Sequence, residues 1–130
     1  MRYQTLVIEG SLPTLNEYIN TERSNKYAGA KLKKKTEQAI KAWIKRSEVK
    51  PVGSYPIHME YTWYCKDKRT DKSNISSMGQ KLIEDSLQKA GIIRNDGWGE
   101  IANFEHAFLV DKKHPRIEVV LIEFNQDNLI

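Results

Sequence analysis

Three aspartates and one lysine are placed around a single predicted helix in a way that could support phosphodiester chemistry. Asp71 precedes the helix, Lys81 and Asp85 lie four residues apart on one of its faces, and Asp96 follows it in a turn-rich loop. If the two loops meet at one sheet edge, Asp71, Asp85 and Asp96 supply the hard oxygen ligands that Mg²⁺ prefers. Such an ion activates water and neutralises charge on a scissile phosphate, and Lys81 would stabilise that phosphate as a point charge.

Each of these residues also has a purely structural interpretation. Asp71 could complement the helix dipole, and Lys81 with Asp85 could be a surface pair worth ~0.3–0.5 kcal/mol. The Asn95-Asp96-Gly97 stretch is also a turn signal. Spacing alone therefore leaves the site open, because it does not give the separation of Asp71 from Asp96.

The elements that must position these residues follow from the hydrophobic periodicity of the chain. The order strand, helix, strand, helix, strand, strand predicts one mixed α/β (α+β) domain over residues 1–130, with a single-layer mixed sheet and two main helices. Strands are predicted over 3–9, 57–65, 101–110 and 116–124, and helices over 27–47 and 75–90.

Loop-forming and helix-capping residues complete this prediction. Residues 11–25 are predicted to form a loop, because they contain Pro13 and several Asn, Ser and Thr residues. Ser73 or Asn74 is the predicted N-cap of the second helix, and Gly91 suits the left-handed position just past its end. The polar tail from Asn125 is predicted to fray.

Positive charge is concentrated in the first predicted helix and its flanks. From Arg23 to Lys50 there are ten basic residues and two acids, within a chain whose formal net charge is +4. This asymmetry indicates a face that attracts a polyanion, although a solvated lysine-rich helix face would have the same composition. The sequence therefore favours nucleic acid as a partner without requiring it.

Several classes of protein are disfavoured. The single cysteine, Cys65, is predicted to be a buried core thiol, and with no second cysteine the chain fits a reducing cytoplasm. No apolar run approaches the ~20 residues that span a bilayer, so no membrane partner is predicted. His58, His106 and His114 show no metal-ligand spacing. Trp98 is predicted to pack its loop, the alternative being stacking on an opened base.

The motifs, taken together and in order, resemble those of the RusA-type Holliday-junction resolvases. The resemblance is carried by Asp71-x-x-Asn74, then Lys81, then the Asp85-Ser-Leu-Gln-Lys-Ala-Gly91 stretch and Asn95-Asp96. The early Leu12-Pro-Thr-Leu-Asn16-Glu-Tyr18 segment is also similar, so the resemblance covers nearly the whole chain. It is strongest between Arg69 and Trp98.

This resemblance implies a homodimeric, magnesium-dependent endodeoxyribonuclease of DNA recombination and repair, of a kind often carried by phages. Such enzymes bind four-way DNA junctions and hydrolyse paired strands symmetrically. By motif position Asp71, Lys81 and Asp96 are the expected catalytic residues, and Asp71, Asp85 and Asp96 the expected metal ligands. The expected DNA-contacting residues are Asn16, Lys31, Lys33, Lys34, Lys35, Lys68, Arg69, Lys72 and Asn74.

Two departures from the family pattern bear on catalysis. Ser73 stands where the pattern Asp-x-Asp-Asn has its second acid, and a neutral hydroxyl is a poorer Mg²⁺ ligand than a carboxylate. The span from Asp71 to Lys81 is also longer than in some members. A second hypothesis is therefore a junction-binding protein that has lost or weakened cleavage, and a third is an interaction domain whose acids are surface groups.

Overall fold

Four strands and three helices alternate along the chain. The computed structural model describes residues 1–124, and the predicted fraying from Asn125 lies outside them. The strands are β1 (Arg2–Glu9), β2 (Ile57–Cys65), β3 (Ile101–Val110) and β4 (Arg116–Glu123). The helices are α1 (Leu15–Ser24), α2 (Lys26–Arg46) and α3 (Lys72–Lys89). The mixed α+β class and every predicted strand are confirmed.

The strands form one mixed sheet in the order β1-β4-β2-β3. β4 is antiparallel to β1 and β2, whereas β2 and β3 run parallel. Parallel neighbours need a crossover connection, and α3 supplies it. As a result α3 and its flanking loops lie beside β3, at one edge of the described sheet.

Alternation along β2 puts Met59, Tyr61 and Trp63 on the face that the helices cover. Ile40 and Ile44 from α2 join them, together with a further set of buried side chains: Leu6, Ile8, Leu82, Ile83, Leu87, Ile117, Val119 and Leu121. None of the described helices is both long enough and apolar enough to cross a membrane.

The two main helices are present as α2 and α3, but the predicted loop over residues 11–25 is wrong, because Leu15–Ser24 forms a third helix, α1. Thr14 caps this helix, and its hydroxyl accepts a hydrogen bond of 3.2 Å from the backbone N–H of Glu17. The capping pattern Ser/Thr-x-x-Glu is present in the sequence at Thr14 and Glu17. Polar side chains suit α1 because none of its residues is fully buried.

The predicted cap of α3 is also wrong by two or three residues. The helix begins at Lys72, so Asp71 occupies the N-cap position, although its side chain makes no capping hydrogen bond. The far end is as predicted, since Gly91 has φ of 75°. One burial prediction also fails in part, because Cys65 is only partly buried.

Gly79 lets α3 approach β2 closely, and Gly79→Ala is expected to destabilise the protein by about 1–3 kcal/mol. An added Cβ would lie 2.6 Å from the outer ring atoms of the buried Trp63. Alanine ordinarily stabilises a helix relative to glycine by roughly 1 kcal/mol, so the expected sign is reversed here. Urea unfolding measures the change, with the exposed Ser77→Ala on the same helix as control. A Gly79→Ala protein more stable than wild type would contradict this packing.

Candidate functional site

Two pockets lie along the edge where α3 faces β3. The parallel register sets Phe104, His106 and Phe108 beside Met59, Tyr61 and Trp63, so these three β3 side chains form a row under the helix. At one end of the row is the Asp96 pocket, of about 310 Å³, lined by Glu84, Asp96, Gly97, Trp98, Ile101, Ala102, Asn103 and Phe104. At the other end is the Asp71 pocket, whose lining includes Lys68, Asp71, Lys72, Ser73 and Phe108.

Glu84 is the most unusual group of the Asp96 pocket, and the sequence did not reveal it. Only 9% of the residue is exposed. Its Oε2 accepts hydrogen bonds from Tyr61 Oη at 2.7 Å and from Gln80 Nε2 at 2.8 Å. Burial raises the pKa of the Glu84 carboxyl, and the negative charge of Asp96 raises it further. The two hydrogen bonds and the charge of Lys81 act in the opposite direction.

A chain of hydrogen bonds holds Glu84 in place. Trp63 Nε1 donates to His106 Nδ1 at 2.9 Å, so His106 Nε2 carries the proton of the neutral ring and donates to Gln80 Oε1 at 3.0 Å. Burial lowers the pKa of His106, which favours this neutral form. Gln80 then donates to Glu84, so the carboxylate is fixed from the core of the protein.

Glu84→Gln is expected to change how stability depends on pH. Because its pKa is raised above the ordinary value of 4.5, Glu84 keeps its proton to a higher pH in the folded chain than in the unfolded chain. The free energy of unfolding of wild type therefore decreases as pH rises from about 4.5 through the folded-state pKa. The amide has no proton to lose, so Glu84→Gln should gain stability relative to wild type between pH 5 and pH 8.

Urea unfolding at both pH values measures this gain. Glu17→Gln is the control, because it makes the same change at an exposed carboxyl on α1. An equal difference from wild type at pH 5 and pH 8 for Glu84→Gln would show that burial does not control this group.

Asp71 lies far from the Asp96 pocket. It is exposed at the first turn of α3, and the helix rises about 20 Å between position 71 and Glu84 at 1.5 Å per residue. Ser73, which replaces the expected acid, is exposed in the same Asp71 pocket. Asp71 and Asp96 therefore lie at opposite ends of the row formed by Phe104, His106 and Phe108.

Asp85 points away from both pockets, toward α2. Its carboxylate is only 17% exposed, and it is paired with Lys81 Nζ at 3.4 Å and with Lys33 Nζ at 3.8 Å. Asp71, Asp85 and Asp96 thus do not come together in a single chain. An ion held by Asp71, Asp85 and Asp96 stays a prediction.

Within residues 1–124, the one group of three potential metal ligands with donor atoms within 4.8 Å of each other is His58, Glu60 and Glu105, which could hold a metal ion. The spacing of the histidines in the sequence did not indicate this group, because the pairing of β2 with β3 brings Glu105 to His58 and Glu60.

The predicted DNA-contacting lysines of α2 do not share one face. Lys31 and Lys35 are exposed one turn apart, whereas Lys33 is turned toward Asp85 of α3. Lys33 and Lys34 both line a groove between α2 and α3, together with Lys41 and Lys89.

A second basic group surrounds Asp71. Lys68, Arg69 and Lys72 are all exposed there, and the ammonium group of Lys72 lies 5.8 Å from the ring centre of Phe108. Asn74, expected to contact DNA, accepts at Oδ1 a hydrogen bond of 2.9 Å from the backbone N–H of Asn16. This bond joins the start of α1 to α3, so Asn74 also has a structural role.

Trp98 does not pack its loop, and that prediction is wrong. The residue is 99% exposed and lies at the rim of the Asp96 pocket. The alternative use of this ring, stacking on an opened base, stays a prediction. No protein-family model matches the chain. The motif resemblance to the RusA-type resolvases is therefore also a prediction.

Proposed function

We propose that this protein is a magnesium-dependent endonuclease that resolves four-way DNA junctions by paired symmetric nicks. The observation that carries the proposal is the Asp96 pocket, which two carboxylates line, one of them the buried Glu84, on which the charge of Lys81 acts. The motif order from Asp71 to Asp96 supports the same reaction. As part of this proposal the protein acts in the cytoplasm as a homodimer.

The donor set of the Asp96 pocket fits Mg²⁺. The ion is commonly held by one or two carboxylates together with waters and substrate phosphates, and Asp96 and Glu84 supply two carboxylates in one pocket. The raised pKa of Glu84 shows a burial and repulsion cost that a divalent cation relieves. When bound, such an ion lowers the pKa of a water nucleophile and neutralises phosphate charge. Glu84 thereby supplies the second acid of the proposed site, away from Ser73, which lies in the Asp71 pocket.

The remaining residues bind and orient the substrate. Lys81 is exposed on α3 and paired with Asp85, and in this proposal its ammonium group turns to a phosphate of the bound DNA. Asp71 occupies the opposite end of the row, among Lys68, Arg69 and Lys72, so this end contributes mainly to holding the DNA backbone. In a two-fold symmetric dimer, two copies of this arrangement would face a substrate with matching symmetry.

The exposed Trp98 supports a branched substrate over an intact duplex. Every base has a π-face, and stacking on an aromatic side chain is worth ~1–3 kcal/mol per base. Bases inside a duplex are already stacked, whereas a branch point offers unstacked ones. An indole that is 99% exposed beside the proposed catalytic pocket suits that role.

The experiment that tests the proposal is cleavage of an end-labelled synthetic four-way junction in Mg²⁺, with a linear duplex of the same sequence as control. Symmetric nicks confined to the junction are the expected result. Absence of nicks in the presence of tight junction binding would overturn the nuclease and leave a binding protein. Absence of both would overturn DNA as the substrate.

A binding protein without cleavage is the second candidate, and Ser73 favours it. The carboxylate expected at this position is missing, and Asp71 and Asp96 do not meet in the single chain. Ser73→Asp discriminates the two, with Ser73→Ala as matched control. A rise in junction cleavage by orders of magnitude would identify a weakened enzyme, and an unchanged rate would show that Ser73 is accommodated.

A further inference from the structure

The sheet face opposite the helices carries a second set of metal-ligating side chains. His58 and Glu60 are two residues apart on β2, so they project from the same face. Glu105 of β3 stands directly opposite Glu60 in the parallel register. The set is separate from the Asp96 pocket, since Tyr61 and Glu84 lie on the helix-covered side of the sheet.

The donor atoms of this set converge on one point. One ligand atom from each of His58, Glu60 and Glu105 lies within 4.8 Å of the other two. His58 Nε2 is 3.6 Å from Glu105 Oε1, which is longer than a hydrogen bond. Two ligands bound at 2.0–2.2 Å to one tetrahedral ion lie about 3.4 Å apart, so the observed separation is close to that of two ligands of the same metal.

A bound cation would also neutralise the two facing carboxylates of the set. Like charges directly opposite each other on paired strands are destabilising, and Glu60 faces Glu105 in this way. Among residues 1–124, neither glutamate has an ion pair with a lysine or an arginine. On the other side, the β4 neighbours of Glu60 and His58 are Val120 and Ile122, which offer no charge.

We propose that His58, Glu60 and Glu105 bind one divalent transition-metal ion of the zinc class, independently of the nuclease proposal. An imidazole nitrogen with two carboxylates suits Zn²⁺ and its neighbours, whereas Mg²⁺ prefers oxygen ligands alone. His58 is well placed as the anchor, because its side chain is only 17% exposed while that of Glu105 is 71% exposed. The ion ties the edge strand β3 to β2, and water fills its remaining position.

The test is Zn²⁺ binding to the full chain by calorimetry in 10 mM Mg²⁺, with Co²⁺ absorption as a reporter of the ligand set. We expect one Zn²⁺ per chain, at least a tenfold loss of affinity in His58→Ala and in Glu105→Gln, and the loss of the tetrahedral Co²⁺ spectrum in both. The matched control is His114→Ala. His114 is the chain's other histidine paired with a glutamate, Glu9, and it belongs to no such group of three within residues 1–124.

In EDTA, each variant must first show the same unfolding temperature as wild type, so that a loss of Zn²⁺ binding is not caused by a loss of folding. If a variant unfolds at a lower temperature, His58→Gln is used in its place, since glutamine keeps a polar side chain of similar size. Undetectable Zn²⁺ binding by wild type, or binding that the His58 and Glu105 variants retain in full, would overturn the proposal. Asp96→Asn should keep Zn²⁺ binding, which separates a failure of this site from a failure of the proposed nuclease.

Discussion

Asp96→Asn is expected to lower the rate of four-way junction cleavage on the order of 10²–10³-fold or more while leaving junction affinity within a fewfold of wild type. Asp96 is the partly exposed carboxylate of its pocket, and it faces the buried Glu84. The amide keeps the shape of the side chain but removes the negative charge that would hold a cation beside a phosphate. Single-turnover cleavage with protein in excess measures the chemical step, and band-shift titration in Ca²⁺ measures binding.

Asp85→Asn provides the matched comparison, because it makes the same change on a neighbouring aspartate. Asp85 is already paired with Lys33 and Lys81, on the side of α3 that faces α2. If Glu84 and Asp96 are the ligands, removing the Asp85 charge should reduce cleavage by less than about tenfold, because it only breaks the ion pair that holds Lys81. Equal loss of cleavage in both variants would instead support the predicted set of Asp71, Asp85 and Asp96. Full cleavage by Asp96→Asn would exclude the pocket as the catalytic centre.

Local patterns predicted the elements well, because alternation and helical spacing depend on neighbours in sequence. The run Ile57–Cys65 alternates so regularly that its predicted and observed bounds coincide. Helix α1 was missed for a physical reason. Its Asn, Thr and Ser residues have low intrinsic helix propensity, and the cap made by Thr14 with contacts to α2 and α3 outweighs that propensity.

The candidate sites depend on strand order and register, which local patterns do not contain. Glu84 is an ordinary helix residue in sequence and becomes a buried acceptor only because Tyr61 lies beneath it on β2. In the same way, Glu105 meets Glu60 only because β3 is the parallel neighbour of β2. Asp71 lies far from Asp96 because α3 is long and the loop after it brings Asp96 back only as far as Glu84. The spacing of the two aspartates in the sequence did not determine this distance.

Junction affinity is expected to fall roughly 10³-fold between 50 and 200 mM salt. Six exposed cations are candidates for phosphate contacts: Lys31, Lys34 and Lys35 on α2, and Lys68, Arg69 and Lys72 beside Asp71. Each neutralised phosphate contributes about −0.9 to the slope of log affinity against log salt, so six contacts give a slope near −5. Fluorescence anisotropy over a salt series measures the slope, and a slope near zero would contradict DNA as the partner.

The effect of each lysine on this slope should depend on whether its ammonium group is already paired with a carboxylate. Lys31→Ala with Lys35→Ala removes two exposed cations one turn apart, and the slope should become shallower by about 2. Lys33→Ala on the same helix is the control. Because the ammonium group of Lys33 already lies 3.8 Å from Asp85, its loss should change the slope by less than one. If Lys33→Ala had the larger effect, DNA would have to displace the pair with Asp85, and the groove between α2 and α3 would then be the main phosphate contact.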